Sequence, residues 1–224
     1  MKHNWSAELF NYYRKLKPSI QLPNAVEWLY PQQHAEVLDV LQTFLLKYYN
    51  DKNTRTLLLG INPGRFGAGV TGVNFTAPRQ LTEDCFIPHS FKQQSELSAE
   101  FIYDMIHAWG SVEGFYAQYF IGSVCPLGFV KEGKNINYYD DKALQAAVEP
   151  FIVKSMKALS RLNFNKQKCI CIGGEKNYKY LNSLNSRYEW FDQIFSVPHP
   201  RFIMQYRRKQ KAEYMQHYLD VLKK

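Results

Sequence analysis

The chain has 224 residues, of which 46% are apolar, 21% charged and 16% aromatic, a composition that excludes a disordered or fibrous protein and suits one globular domain, expected over 1–224. The formal net charge is +8, from 28 Lys and Arg against 20 Asp and Glu, and the excess is local: after Pro198, seven basic residues face only Glu213 and Asp220. No run approaches the roughly 18–20 consecutive apolar residues of a membrane span, residues 1–10 show no apolar signal region, and the cysteines at 85, 125, 169 and 171 have neither disulfide-scaffold density nor zinc spacing, so an unexported protein with reduced thiols and no metal is expected.

In chain order, the apolar spacing predicts a helix over about 5–16 and a second over 31–50, where Val37, Leu38, Leu41, Leu45 and Tyr48 recur at helical spacing between Pro31 and Asn50. Residues 56–60 (TLLLG) form a short continuous apolar run closed by glycine, the mark of a strand buried on both faces. A helix is predicted over 101–109, with Phe101, Ile102, Met105, Ile106 and Trp109 in period and Gly110 as its stop. Strand-like runs recur at 119–124 (YFIGSV), 168–173 (KCICIG) and 193–197 (QIFSV). Helical patterns occupy 141–162, a shorter stretch after Gly174, and about 208–222. Strands alternating with helices predict an α/β, three-layer fold, a parallel sheet of about four strands flanked by helices. In such sheets ligands bind beyond the carboxyl ends of the strands, which singles out the segments 61–79, 125–138, 174–178 and 198–207, all read as loops.

The first of these reads INPGRFGAGVTGVNFTAPR, and its glycines at 64, 67, 69 and 72 let the backbone approach a ligand and expose amide donors. It lacks the phosphate-loop pattern. Gly67, Gly69 and Gly72 do satisfy G-x-G-x-x-G, but NFTAPR starts no helical period and Pro78 is expected to block one, so a nucleotide-dependent enzyme ranks last among the readings. Asn62 directly follows the strand, and 61–82 contains no carboxylate. A carboxamide can hold a water but is no strong base, so chemistry here would rest on stabilising a leaving group as an anion. The alternative is that Asn62 and Pro63 only build a turn.

His199 stands between two prolines at the end of the last strand run, which restricts the backbone on both sides and gives the imidazole a defined direction. So placed, it can donate a hydrogen bond to a developing anion. His3, His34, His89, His107 and His217 lack such a context and are read as structural or solvated. The following segment RFIMQYRRKQK carries five basic residues and no acid, interleaved with Phe202, Ile203, Met204 and Tyr206. It is either a solvated face or a segment that binds phosphates and drives a wedge into a base stack.

Taken together, GINPGRFGAGVTGVNF (60–75), CPLGF (125–129) and HPR (199–201) resemble the uracil-DNA glycosylase superfamily, and most of all its single-strand-selective monofunctional (SMUG-like) branch. The resemblance implies a monofunctional, metal-independent DNA glycosylase of base excision repair that hydrolyses the N-glycosidic bond of a flipped-out uracil. It implies DNA as partner, no cofactor and a monomer, nucleoid-associated in a prokaryotic cytoplasm or nuclear in a eukaryote. By the same resemblance Asn62 orients the attacking water, His199 stabilises the departing base, Phe75 stacks on it, and the main chain at Ile61 and Gly64 holds its carbonyl edge. Phe66 and Ser123 belong to the same pocket, while Arg201, Tyr206, Arg207, Arg208 and Lys209 bind the DNA. The four-cysteine iron–sulfur cluster of some related branches is not expected, because Cys125 lies within CPL and Cys169 and Cys171 lie in a strand.

The sequence departs from that pattern at several positions. Ser123 stands where the branch has an asparagine that reads the uracil edge, Arg65 and Asn74 replace motif prolines, and Arg201 directly follows Pro200 in a shortened last motif. A hydroxyl cannot offer the paired donor and acceptor of an amide, so hypoxanthine and xanthine are expected as further substrates. No lysine falls in the glycine loop, so Schiff-base chemistry and strand cleavage are not expected. The alternative of another class is a non-catalytic nucleic-acid-binding module on the same fold.

Overall fold

The computed structural model describes residues 4–224; His3 lies outside them. The chain starts with α1 (Trp5–Lys15), capped by Asn4, whose Oδ1 accepts the Ser6 N–H at 2.9 Å. Then follow β1 (Val26–Leu29), a 3-10 turn over Pro31–Gln33 and α2 (Ala35–Tyr48). Pro31 therefore opens a separate turn, and the periodic helix begins only at Ala35.

Next come β2 (Arg55–Gly60), the short α3 (Ala68–Thr71) and α4 (Pro78–Glu83), then α5 (Leu97–Trp109), α6 (Val112–Gln118) and β3 (Tyr119–Ser123). Gly110 ends α5 as expected. Pro78 does not block a helix; it occupies the first turn of α4, where the missing N–H has no intrahelical partner to lose. Gly67 and Gly72 are the two caps of the four-residue α3, so the glycine spacing serves a tight turn.

The second half holds β4 (Gly128–Lys131), β5 (Lys134–Ile136), α7 (Lys142–Leu159), β6 (Phe164–Ile172), α8 (Gly174–Tyr188), β7 (Gln193–Val197), α9 (Pro200–Tyr206) and α10 (Lys211–Lys223). All four segments expected as loops contain regular structure: α3 and the start of α4 lie within 61–79. Residues 125–138 contain the β4–β5 hairpin, 174–178 are the first turn of α8, and 198–207 contain α9. A 3-10 turn, Arg208–Gln210, precedes the last helix.

The main sheet has four parallel strands in the order β3-β2-β6-β7. Every residue of β2 and β3 is buried, as continuous apolar runs require. Helices flank it, α6 against β2 and β3, α8 against β6 and β7. The chain moves from β2 outward to β3, then returns to β6 on the other side of β2, so the connections diverge around the carboxyl end of β2. That is where open α/β sheets bind ligands.

A second, antiparallel sheet, β1-β4-β5, was not expected from the sequence. Its strands have four, four and three residues, too short to display a period. Its one legible signal is the Glu132–Gly133 turn, with φ of 49° and 71°, in which two left-handed residues join β4 to β5. Among the described residues no helix is long and apolar enough to cross a membrane. All four cysteines are unpaired and buried.

Candidate active site

Beyond Gly60 the pairing of β2 with β3 runs on: Val124 N–H donates to Gly60 O at 2.9 Å and Cys125 N–H to Ile61 O at 3.0 Å. This holds the chain rigid up to Asn62. Its side chain is fixed at both ends, Oδ1 accepting the Tyr138 N–H at 3.1 Å and Nδ2 donating to Ile136 O at 3.3 Å. Beneath it, the buried Tyr138 hydroxyl donates to Asn177 Oδ1 at 2.6 Å, and Asn177 Nδ2 donates back to Gly60 O at 3.3 Å. Gly128 allows the hairpin to come this close, since a Cβ there would lie 2.2 Å from Pro63 O.

The segment TGVNFT is stitched by its threonines. Thr71 Oγ donates to Thr76 O at 2.7 Å and accepts the Val73 N–H at 3.1 Å, and Thr76 Oγ meets the Tyr103 hydroxyl at 3.0 Å. These bonds hold Phe75 at φ 51°, a left-handed conformation that costs a non-glycine residue about 1–2 kcal/mol. The ring lies against the end of β2, where only glycine leaves space: a Cβ on Gly60 would approach Phe75 Cε2 to 2.7 Å. Its other neighbour is His199, with ring centroids 5.7 Å apart.

His199 is the N-cap of α9, and its Nδ1 accepts the Arg201 N–H at 3.1 Å. The acceptor nitrogen carries no proton, so in the neutral ring the proton sits on Nε2. Burial, with the Arg201 charge adding to it, pushes the His199 pKa down to about 4. At neutral pH the ring is an uncharged N–H donor. The Tyr218 hydroxyl donates to Pro198 O and ties the turn to α10.

Ile61, Asn62, Gly64, Phe75, Ser123, His199 and Arg201 line one cavity of about 110 Å³, open to solvent. Phe66 does not line it: the tight turn in which Gly67 N–H meets Gly64 O at 3.3 Å directs it to the surface, where Arg65 stacks on its ring at 4.7 Å. Tyr206, Arg207, Arg208 and Lys209 are exposed at and beyond the end of α9, outside the cavity. The helical period sorts the apolar residues of that segment. Ile203 and Met204 are 0% and 3% exposed and belong to the core, whereas Phe202 and Tyr206 are 41% and 66% exposed, four residues apart. Of the four apolar side chains in that segment, only Phe202 and Tyr206 are therefore accessible as a wedge.

The cavity also gathers residues that sequence reasoning missed. Asn135 and Asn137 arrive on and just after β5, and Glu96 caps α5, accepting the Ala99 N–H at 2.8 Å. The glycine loop itself has no carboxylate, but Glu96 faces Gly67 and places one on the wall. Asn74 shares the cavity and accepts the Ser123 hydroxyl at 2.6 Å. Such an arrangement can stack a planar ring on Phe75, hold a water at an amide, and donate a hydrogen bond from a neutral imidazole to an anion. Among the described residues no group of three or more His, Cys, Asp or Glu could hold a metal ion.

Residues 46–223 match the family described as the uracil DNA glycosylase superfamily. A comparison with curated proteins finds no match. Among solved structures, the crystal structure of wild-type SMUG2 from Pedobacter heparinus is similar, with 40% sequence identity over 98% of this chain and 97% of that one, at a TM-score of 0.95.

Proposed function

The chain belongs to the uracil-DNA glycosylase superfamily, and from that premise we propose that it is a monofunctional, metal-independent glycosylase that hydrolyses the N-glycosidic bond of a flipped-out uracil, and of hypoxanthine or xanthine, in DNA. One observation carries the proposal: a neutral His199, with Nε2–H free to donate, shares a cavity with Asn62 and with a stacking ring, Phe75. The extruded base enters the cavity and stacks on Phe75. The bond from C1′ to the base nitrogen breaks and its electron pair leaves with the base, as an anion stabilised by His199 Nε2–H. A water held by the Asn62 carboxamide attacks C1′ and loses its proton to solvent, leaving an abasic sugar and the free base.

No Asp or Glu is needed as a strong base, because the departing anion carries the barrier. The Glu96 carboxylate on the wall favours the positive charge that develops on the sugar. Among the described residues no lysine lines the cavity, which supports hydrolysis without a Schiff base or strand cleavage. Ser123 is shorter than an amide side chain and leaves room for a two-ring base. Arg201, Tyr206, Arg207, Arg208 and Lys209 form the exposed basic face for the phosphates.

The test incubates the protein, with EDTA present, with labelled oligonucleotides carrying one uracil, hypoxanthine or xanthine, and counts alkali-labile sites beside Asn62→Ala. Uracil release that the substitution removes is the expected result. Tight DNA binding with no abasic sites on any substrate would instead make the protein a binding module. Purine release more than about a thousandfold slower than uracil release, and unchanged by Ser123→Asn, would remove the purines from the substrate list.

A further inference from the structure

Ser123 ends β3, directly opposite Gly60 in the sheet register, so its side chain stands at the floor of the cavity. Its hydroxyl proton is committed, because Oγ donates to Asn74 Oδ1 at 2.6 Å. The lone pairs of Oγ are then what serine offers a ligand. Asn74 comes from a segment 49 residues away and lines the same cavity. Its Nδ2 donates one N–H to the Tyr13 hydroxyl at 3.4 Å, which leaves the second N–H of the amide for a ligand. An acceptor and a donor thus stand side by side, joined by one hydrogen bond: the two faces of a carboxamide distributed over two residues.

We propose that Asn74 and Ser123 together form a base-edge reader, Ser123 Oγ accepting the ring N–H and Asn74 Nδ2 donating to the adjacent carbonyl of the extruded base. The inference rests on the glycosylase reading and adds to it a second residue that contacts the base edge. A ring N–H beside a carbonyl is common to uracil, hypoxanthine and xanthine. Cytosine and adenine present the reverse, a bare ring nitrogen beside an amino group. To receive them the hydroxyl must turn and the Asn74 amide must flip, which reverses the direction of the bond between the two residues. The pair therefore supplies the acceptor and donor that serine alone would lack, while keeping the space that serine provides.

The experiment measures single-turnover release of uracil, hypoxanthine and cytosine from single-stranded oligonucleotides by the wild type, Asn74→Ala, Asn74→Asp, Ser123→Ala and the exchange Asn74→Ser with Ser123→Asn. Binding to an oligonucleotide with a tetrahydrofuran abasic analogue, which has no base to read, is measured in parallel. The reader predicts that Asn74→Ala and Asn74→Asp each slow uracil and hypoxanthine release by about 10- to 100-fold, leave binding to the abasic analogue unchanged, and that the exchange restores uracil release relative to Asn74→Ala. Release by Asn74→Ala as fast as wild type, an equal loss of abasic-analogue binding, or an exchange no faster than Asn74→Ala would each overturn the reader alone. A wild type that releases no uracil would overturn the glycosylase reading and the reader with it.

Discussion

The two ends of β2 differ in how their polar groups are used. At the amino end Arg55 is fully buried between the Trp5 and Tyr49 rings, 5.0 and 4.8 Å from their centroids. Its guanidinium donates to both Asp51 oxygens at 2.7 Å, to Tyr116 O at 2.7 Å and to Tyr48 O at 3.2 Å. At the carboxyl end, Asn62, Asn74, Ser123 and His199 turn into an open cavity, beside a Phe75 held in a left-handed conformation. One end has its hydrogen-bonding capacity directed inward to the chain; the other keeps capacity for a ligand and tolerates local strain to do so.

The same contrast explains two depressed pKa values. Asp51 is lowered because Arg55 hydrogen-bonds its charged form, whereas His199 is lowered to about 4 because burial disfavours its charged form. Both make the fold less stable toward acid. The unfolded histidine takes up its proton near pH 6.5, which the folded ring does not until about pH 4, so the stability present above 6.5 is lost as pH falls through that window. The Asp51 contribution is present above the ordinary aspartate value of 3.8 and is lost below it.

Separating stability from chemistry breaks or sharpens this comparison. Arg55→Ala removes donors to buried carbonyls and leaves a cavity, and should lower stability by about 3–5 kcal/mol in chemical denaturation, with little change in the base-release rate of protein that remains folded. His199→Ala should do the reverse, slowing base release by about 10²–10³-fold, or about 2.7–4 kcal/mol, while the lost cap of α9 costs only about 1 kcal/mol of stability. Gly60→Ala acts on both, because its Cβ pushes on Phe75: a stability loss of about 1–3 kcal/mol is expected together with slower release. The smallest effect lies outside the cavity, where Arg207→Ala with Arg208→Ala should reduce the salt slope of DNA binding by about one to two units. An unchanged slope would move the DNA face elsewhere.

The sheet was legible because strands buried on both faces read as apolar runs; β7 has the bounds 193–197 read from QIFSV. The antiparallel sheet was not, since three- and four-residue strands show no period. In α9 the two prolines and the basic residues hid a helical period that becomes plain only when Phe202 and Tyr206 are set against Ile203 and Met204. For the candidate site, Asn62, Phe75, Ser123 and His199 could be named from their motifs. Glu96, Asn135 and the bond between Asn74 and Ser123 could not, because tertiary packing brings them from separate segments and no local spacing encodes it. Phe66 lies outside the cavity for a different reason: a motif position inside a tight turn says nothing of which way the side chain points.

The central claim is that the carboxyl end of the sheet releases a base by donating a hydrogen bond from a neutral His199. Its most direct test is the single-turnover rate of uracil release across the acid-to-neutral range, for wild type and His199→Ala. The account predicts a wild-type rate with no inflection near pH 6.5 and an acid limb near the folded value of about 4, with His199→Ala far slower throughout. An inflection near pH 6.5, or a His199→Ala rate equal to wild type, would contradict it.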